Sequence, residues 1–110
     1  SGDGGAPVDP KTVEEAIVEN LKTIYDPEIP INIYELGLIY EVKADASGMV
    51  DVVMTLTAPN CPDAGILPGE VESKARSAPG VKDVKLNLTF DPPWTPEMMS
   101  EAARLELGML

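Results

Sequence analysis

Residues 38–57 read LIYEVKADASGMVDVVMTLT, and this stretch decides the fold. In its second half, apolar residues recur at every second position from Val50 to Leu56, which is the period of a half-buried strand. Its first half alternates in the same way, so its even-numbered positions are predicted to share one face. The DASG sequence at 45–48 favours a tight turn, because aspartate, serine and glycine adopt turn conformations readily. The stretch therefore predicts an antiparallel hairpin.

A helix is predicted before this hairpin. Asp9 can accept hydrogen bonds from the first free amides, and Pro10 suits the first helical position. Apolar residues then recur at three- and four-residue spacing and form one face of an amphipathic helix: Val13, Ala16, Ile17, Leu21 and Ile24. The helix is expected to end before Pro27, because the residue that precedes a proline avoids the helical conformation.

The connector between this helix and the hairpin, residues 26–37, contains its own local signals. Asn32 is predicted to cap a single helical turn. Gly37 is predicted to close that turn in the left-handed conformation, which glycine adopts without steric strain.

The second half of the chain predicts a helix, a strand and a further helix. A short first turn is expected near residues 63–67, followed by a helix over residues 68–77 with Val71 and Ala75 directed inward. Alternating apolar residues predict a strand over 84–90. The sequence TPE at 95–97 opens a terminal helix whose apolar side is formed by Met98, Met99, Ala102, Ala103 and Leu105.

The predicted order is helix, strand, strand, helix, strand, helix, which indicates the α+β class. We expect a two-layer α/β domain in which helices cover a small three-stranded mixed sheet. The third strand should run parallel to the second, because a helix connects them. Residues 1–8 are expected to be a flexible leader and residues 9–110 a single domain.

The composition is acidic, with 19 aspartates and glutamates against 8 lysines and arginines and a formal net charge of -11. An acidic surface repels phosphate groups, so we expect no nucleic-acid partner and no anionic membrane partner. The charge serves either solubility or attraction of a basic protein partner. No apolar stretch approaches the roughly 20 residues that span a bilayer. With its unpaired cysteine, the chain is expected to be cytoplasmic.

Cys61 is the only cysteine, and the chain contains no histidine. The chain therefore cannot form an internal disulfide. It also cannot assemble a tetrahedral zinc site or hold an iron–sulfur cluster alone, because those sites need several thiolate or imidazole ligands. Cys61 must act alone, with carboxylates, or with another chain.

Three segments closely resemble the SufT-like family of iron–sulfur assembly factors, which also includes PaaD and the eukaryotic cytosolic iron–sulfur adaptors. They are DPEIPINIYELGLIY at 26–40, MTLTAPNCP at 54–62 and DPPWTPEMM at 91–99. The resemblance covers residues 10–110. It implies a role in the maturation of iron–sulfur proteins.

The resemblance also implies that Cys61 is the functional thiol and that Asp26 and Glu28 lie beside it. Asn60 stands where many relatives have glycine, a mild change because asparagine tolerates the left-handed conformation. A helix beginning after Cys61 would favour a reactive thiolate, whereas the nearby carboxylates oppose a second negative charge. The alternative is a buried structural cysteine. For Asp26, turn formation is the simpler role, whereas Glu28, between two prolines, is the better candidate beside the thiol.

Other residues are candidates for the site or for a docking surface. Thr55 and Thr57 are predicted to face away from the inward row of the second strand, and Thr57 can hydrogen-bond near the thiol. Trp94, Met98 and Met99 are expected either to complete the core or to line a docking surface for a partner.

The predicted function is therefore that of an accessory factor, not an enzyme. It would carry a transient cluster or iron, or dock a carrier onto apo-targets. No cofactor is expected to be held stably by a monomer, and a cluster would be shared with another chain, either an assembly protein or a second copy in a homodimer. The alternatives are a PaaD-like subunit of a ring-oxygenating system and a cysteine-dependent enzyme. The latter lacks a histidine base and a second cysteine.

Overall fold

The computed structural model describes residues 9–26, 29–57 and 66–108. The predicted leader, residues 1–8, lies outside the described residues, as does most of the turn expected near residues 63–67. In chain order the elements are α1 (Pro10–Leu21), α2 (Ile33–Leu36), β1 (Ile39–Ala44), β2 (Met49–Met54), α3 (Leu67–Arg76), β3 (Asp83–Leu88), a 3₁₀ turn (Pro96–Met98) and α4 (Glu101–Glu106).

The three strands form one mixed sheet in the order β1-β2-β3, with β1 antiparallel to β2 and β2 parallel to β3. The predicted hairpin and the α+β class are confirmed. Helix α1 contacts β1, α3 contacts β3, and the two helices contact each other, so they cover one face of the sheet. On the other face Lys43, Asp51 and Lys85 lie side by side across the three strands and are exposed. The domain therefore has two layers.

The hydrophobic core lies between the helices and the covered face of the sheet. Its fully buried members from the helices include Ile17 and Leu21, and those from β2 include Val52 and Met54. Burial of each such side chain contributes roughly 1.5–3 kcal/mol to stability. The alternation predicted for residues 50–56 is confirmed at Val50, Val52, Met54 and Leu56, all of which are buried.

Helix α1 begins as predicted but ends earlier than predicted. The Asp9 carboxylate accepts hydrogen bonds from the Lys11 amide at 3.2 Å and the Thr12 hydroxyl at 2.9 Å. The helix ends at Leu21 rather than just before Pro27. Ile24 is buried outside the helix, because its carbonyl accepts a hydrogen bond from the Ile33 amide at 2.8 Å. This pairing with the connector replaces the last helical turn.

The short helix α2 confirms the signals in the connector. The Asn32 side chain accepts a hydrogen bond from the Glu35 amide at 2.9 Å, which caps the helix. Gly37 follows in the left-handed conformation with φ of 89°. The chain then enters β1 directly.

The predicted alternation in the first half of the hairpin is interrupted by a β-bulge between Ile39 and Glu41. Ile39 pairs with Met54 and Val42 pairs with Val52, so Ile39 lies on the helix-covered face together with Val42. The prediction that the even-numbered residues share one face is therefore wrong at Tyr40. A bulge places two residues opposite one, which reverses the alternation beyond it.

The turn of the hairpin is held by Asp45. Its carboxylate accepts hydrogen bonds from the Ser47 hydroxyl at 2.6 Å, the Ser47 amide at 2.8 Å and the Met49 amide at 3.1 Å. The Ser47 hydroxyl, followed by these amides, lowers the pKa of Asp45 below its usual value, because each bond favours the charged carboxylate.

The helix after β2 agrees with the sequence, whereas the terminal helix does not. Helix α3 has Val71 and Ala75 buried, as predicted. The predicted terminal helix is divided into the 3₁₀ turn and α4, because Ser100 is extended and its hydroxyl accepts a hydrogen bond from the Ala103 amide at 3.1 Å. The apolar side is correspondingly incomplete: Ala103 is buried but Leu105 is 64% exposed.

Gly37 is also the point at which the C-terminal part of the chain lies closest to the connector. A Cβ atom added to Gly37 would collide with the carbonyl oxygen of Met98 and lie 2.8 Å from its carbonyl carbon. Both the positive φ and this approach require the absence of a side chain.

We expect Gly37→Ala to destabilise the domain by about 2–4 kcal/mol, because it combines left-handed strain with a backbone collision. Gly69→Ala, in the first turn of α3 with no atom within 4 Å of the added carbon, should instead raise the stability by up to about 1 kcal/mol. Urea denaturation of the three proteins measures both effects.

Gly108→Ala separates the two causes, since Gly108 has φ of 74° but no atom within 4 Å of the added carbon. Its destabilisation should be about 1 kcal/mol, from conformational strain alone. Equal losses for Gly37→Ala and Gly108→Ala would contradict the role assigned to the Met98 contact.

Candidate functional site

Cys61 and Glu28 lie outside the described residues, which omit 27–28 and 58–65. In the sequence, Cys61 belongs to the segment that joins Thr57, three residues beyond the end of β2, to Ile66 before α3. The described residues around these gaps are the connector, the end of β2 and the beginning of α3.

Asp26 is held inside the connector. It is buried, its carboxylate accepts a hydrogen bond from the Ile29 amide at 3.0 Å, and its own amide donates to the Ile31 carbonyl at 3.2 Å. These bonds join Asp26 to Ile29 and Ile31 within the connector. They support a structural role for Asp26, which is the simpler of the two roles expected from sequence.

The end of β2 is tied to the end of the connector. The Thr55 amide donates to the Leu38 carbonyl at 2.8 Å, and the Thr55 hydroxyl donates to the Leu56 carbonyl at 3.4 Å. Thr55 is fully buried, as are Met54 and Leu56 on either side of it, so it is not exposed to solvent. That it faces away from the inward row of β2 stays a prediction. Thr57, the last described residue before Cys61, is half-buried.

The C-terminal segment, defined here as residues 91–100, docks on the connector through backbone and side-chain hydrogen bonds. The Trp94 indole N–H donates to the Leu36 carbonyl at 2.8 Å, and the Ser100 amide donates to the Glu35 carbonyl at 2.9 Å. These two carbonyls belong to the last turn of α2, where helices leave carbonyls without intrahelical partners. The segment therefore completes the C-terminal end of α2.

The bulged strand β1 makes a further contact to the same segment. The Tyr40 hydroxyl donates to the Pro92 carbonyl at 2.7 Å and lies 3.5 Å from the Met98 sulfur. The motif at 26–40 thus contacts both the described part of the motif at 54–62, through Leu38 and Thr55, and the motif at 91–99. The spacing of the three motifs in the sequence does not reveal that they contact one another in the fold.

The three residues proposed for a docking surface differ in exposure. Met99 is buried and belongs to the core, so it is not available to a partner in this structure. Trp94 and Met98 are half-buried. The predicted surface is therefore reduced to the exposed parts of Trp94 and Met98, while Met99 contributes to packing.

A groove of about 390 Å³ lies between α1 and β1, and the sequence did not predict it. Val18, Ile39 and Val42 contribute half-buried apolar surface to it, and Glu15 and Glu41 are exposed along it. The polar residues of α1 in this groove follow helical spacing, but an ordinary solvated helix face has the same pattern. Only the position of β1 beside the helix shows that these residues line a groove and not an ordinary solvated surface.

Within residues 9–26, 29–57 and 66–108, no group of three or more histidine, cysteine, aspartate or glutamate side chains is arranged to hold a metal ion. Nor does this part of the chain contain a helix long and apolar enough to cross a membrane. Cys61 is the only cysteine of the sequence, so a site built from several thiolates would need the others from another molecule.

Comparison with known proteins gives consistent matches over most of the chain. The pattern of the iron–sulfur cluster assembly protein family matches residues 14–88, which include Cys61. A Porphyromonas gingivalis protein named "Fe-S protein maturation auxiliary factor" is 59% identical over 97 residues, covering 88% of this chain and 92% of the relative. The Bacillus subtilis "Fe-S protein maturation auxiliary factor YitW" is 40% identical over 101 residues, covering 88% of this chain and 99% of the relative.

The fold is matched as well. The crystal structure of a domain of unknown function from Bacillus anthracis superposes with a TM-score of 0.84 at 33% identity, covering 92% of this chain and 96% of that one. The similarity thus extends beyond the motifs to the whole arrangement of helices and sheet.

We expect Tyr40→Phe to destabilise the domain by about 0.5–1.5 kcal/mol, because it removes the hydroxyl that donates to the Pro92 carbonyl. Tyr25→Phe is the matched control: Tyr25 is 59% exposed, and its substitution should change stability by less than about 0.5 kcal/mol. Thermal denaturation followed by circular dichroism compares the two. Equal effects would mean that the Tyr40 bond does not help to hold the C-terminal segment.

Proposed function

The chain belongs to the iron–sulfur cluster assembly protein family, and on that premise we propose that it is an auxiliary factor in iron–sulfur protein maturation that acts through Cys61. The observation that carries this proposal is its similarity, over nearly their whole length, to relatives named as maturation auxiliary factors. Those names describe auxiliary factors and not enzymes, which supports a role without turnover of its own.

The chemistry available to the chain fits transient rather than permanent binding of an iron-containing cargo. A thiolate is a strong ligand for iron, and protein-bound clusters generally use four such ligands. This chain offers one cysteine and no histidine. A cluster bound through Cys61 would keep most of its ligands on another chain, so that a thiolate of the recipient protein could displace Cys61 from iron by ligand exchange.

The surrounding structure supports Cys61 as a presented residue. The connector and the C-terminal segment are joined by hydrogen bonds at Leu36 and Glu35, and the connector is joined to β2 through Leu38. Functional residues are commonly placed in loops that such rigid elements support. Glu28 and Thr57 remain our candidates for neighbours of the thiol. For Asp26 the observed bonds favour a role in shaping the connector.

A carrier and a docking adaptor differ in what they retain on purification. In a carrier, protein purified without oxygen should contain iron and acid-labile sulfide in amounts that fall when Cys61 is replaced by serine. An adaptor should contain neither, yet co-purify with an assembly protein or an apo-target.

We expect Cys61→Ser to abolish restoration of iron–sulfur enzyme activity in cells that lack the wild-type protein. Its melting temperature should change by less than about 2 °C, because replacing the sulfur of a thiol that is presented to a partner with oxygen removes little packing. Since the chain has a single cysteine, iodoacetamide labelling of the native wild-type protein reports on this thiol alone. The Cys61→Ser variant, which has no cysteine, is the control that should not be labelled.

The outcomes separate the site from the broader role. Full restoration by Cys61→Ser would remove the thiol from the mechanism and leave the maturation role intact. Failure of the wild-type chain to restore activity in the same cells would contradict the maturation role itself. A large loss of stability in the serine variant with retained activity would make Cys61 a core residue.

A further inference from the structure

Strand β1 is an edge of the sheet, and its hydrogen-bonding pattern leaves part of that edge open. The Asp45 amide donates to the Met49 carbonyl at 3.0 Å, so the odd-numbered residues of β1 bond to β2. The even-numbered residues beyond the bulge, Val42 and Ala44, direct their backbone groups away from β2. The amide of Ala44 is satisfied by the Glu14 carboxylate at 2.9 Å.

Val42 differs from Ala44, because no side chain in the described part of the chain bonds to its backbone. Its register partner in β2 is Val52. Even-numbered residues in and beside β2 bond toward β3 and not toward β1, since the carbonyls of Gly48 and Met54 accept hydrogen bonds from the amides of Lys82 and Thr89. No described residue outside the sheet donates to or accepts from Val42. An exposed edge of this kind is a template for an additional strand.

The open edge at Val42 lies in the groove between α1 and β1. On the α1 side, Glu15 and Glu19 are one helical turn apart and are exposed, and Glu41 is exposed on the strand side. Half-buried apolar side chains, including Val18, form the groove between them. The groove thus combines unpaired backbone groups, apolar surface and a rim that is acidic on balance, since its glutamates outnumber Lys11, although Glu19 also pairs with Lys22 at 3.6 Å.

We propose that this groove binds an extended segment of a partner protein that contains lysine or arginine and pairs with β1 at Val42. The backbone of the segment would exchange hydrogen bonds with Val42, and its basic side chains would face Glu15, Glu19 and Glu41. A second copy of this chain is a poorer occupant, because its net charge of -11 opposes approach to an acidic rim. The segment must be short, since Glu14 closes the edge at Ala44.

The proposal goes beyond the maturation role and does not depend on Cys61. It assigns a recognition surface to a different part of the fold from the connector and the C-terminal segment. Binding at the groove should therefore be the same in wild type and Cys61→Ser, so that failure of either proposal leaves the other testable.

The probe is a short fluorescein-labelled peptide in which lysine and valine alternate, titrated with the full chain and followed by anisotropy. We expect binding that weakens as the salt concentration rises from about 0.05 M to about 0.5 M, because exposed charge pairs are screened. The double variant Glu15→Lys/Glu19→Lys should bind about tenfold more weakly. The control Glu70→Lys/Glu106→Lys makes the same charge change at exposed positions outside the groove and should retain most of the affinity.

Backbone pairing is tested separately from charge. In a ¹⁵N-labelled protein the amide of Val42 should shift on peptide addition and become protected from hydrogen exchange. A peptide N-methylated at alternate amides keeps its charge but loses donors on one edge, so at least one methylation register should abolish binding. Thermal denaturation confirms that each protein variant is folded.

Several results would overturn the proposal. These are absence of peptide binding, equal binding of a peptide that alternates glutamate and valine, full affinity in Glu15→Lys/Glu19→Lys, or amide shifts confined to other regions. Self-association of the wild-type chain that Glu15→Lys/Glu19→Lys abolishes would instead assign the groove to a second copy.

Discussion

The close contact between the backbone of Met98 and Gly37 is the constraint on which the arrangement of the functional region depends. Gly37 ends α2 in the left-handed conformation and has no side chain to hold the C-terminal segment away. Because the two backbones meet there, the Trp94 indole and the Ser100 amide can reach carbonyls of the last turn of α2. Because Gly37 has no Cβ, donors of the C-terminal segment can thus bond to carbonyls at the end of α2.

In this two-layer fold the helices cover only one face of the sheet, and the β1 edge is only partly covered. Helices α1 and α3 cover one face, whereas Lys43, Asp51 and Lys85 occupy the other. At the β1 edge, Glu14 from α1 satisfies the amide of Ala44, and the adjacent groove stays open. A factor that receives a cargo and delivers it to another protein needs both a chemical group and a recognition surface. Our proposals place the first at Cys61 and the second at the groove.

Much of the fold could be predicted from sequence because its signals are local. Asp9 and Asn32 cap the helices that follow them, and Gly37 adopts the conformation that only glycine takes readily. The site could be predicted only in part. The sequence indicates Asp26 as a connector residue, and its bonds to the connector agree, but Cys61 and Glu28 as site residues rest on resemblance and remain proposals.

The sequence by itself determined the order of the elements, the hairpin and the acidic charge, since periodicity and turn residues act between neighbours. Only the tertiary structure decided where α1 ends, because the bond between Ile24 and Ile33 joins parts of the chain that local signals treat separately. It also decided the bulge in β1, the burial of Thr55 and Met99, and the division of the terminal helix. The bulge and the two burials depend on contacts between residues far apart in sequence, whose free energy exceeds the small local preferences that a sequence pattern records. The division of the terminal helix combines a local cap with such a contact, since Ser100 bonds to both Ala103 and Glu35.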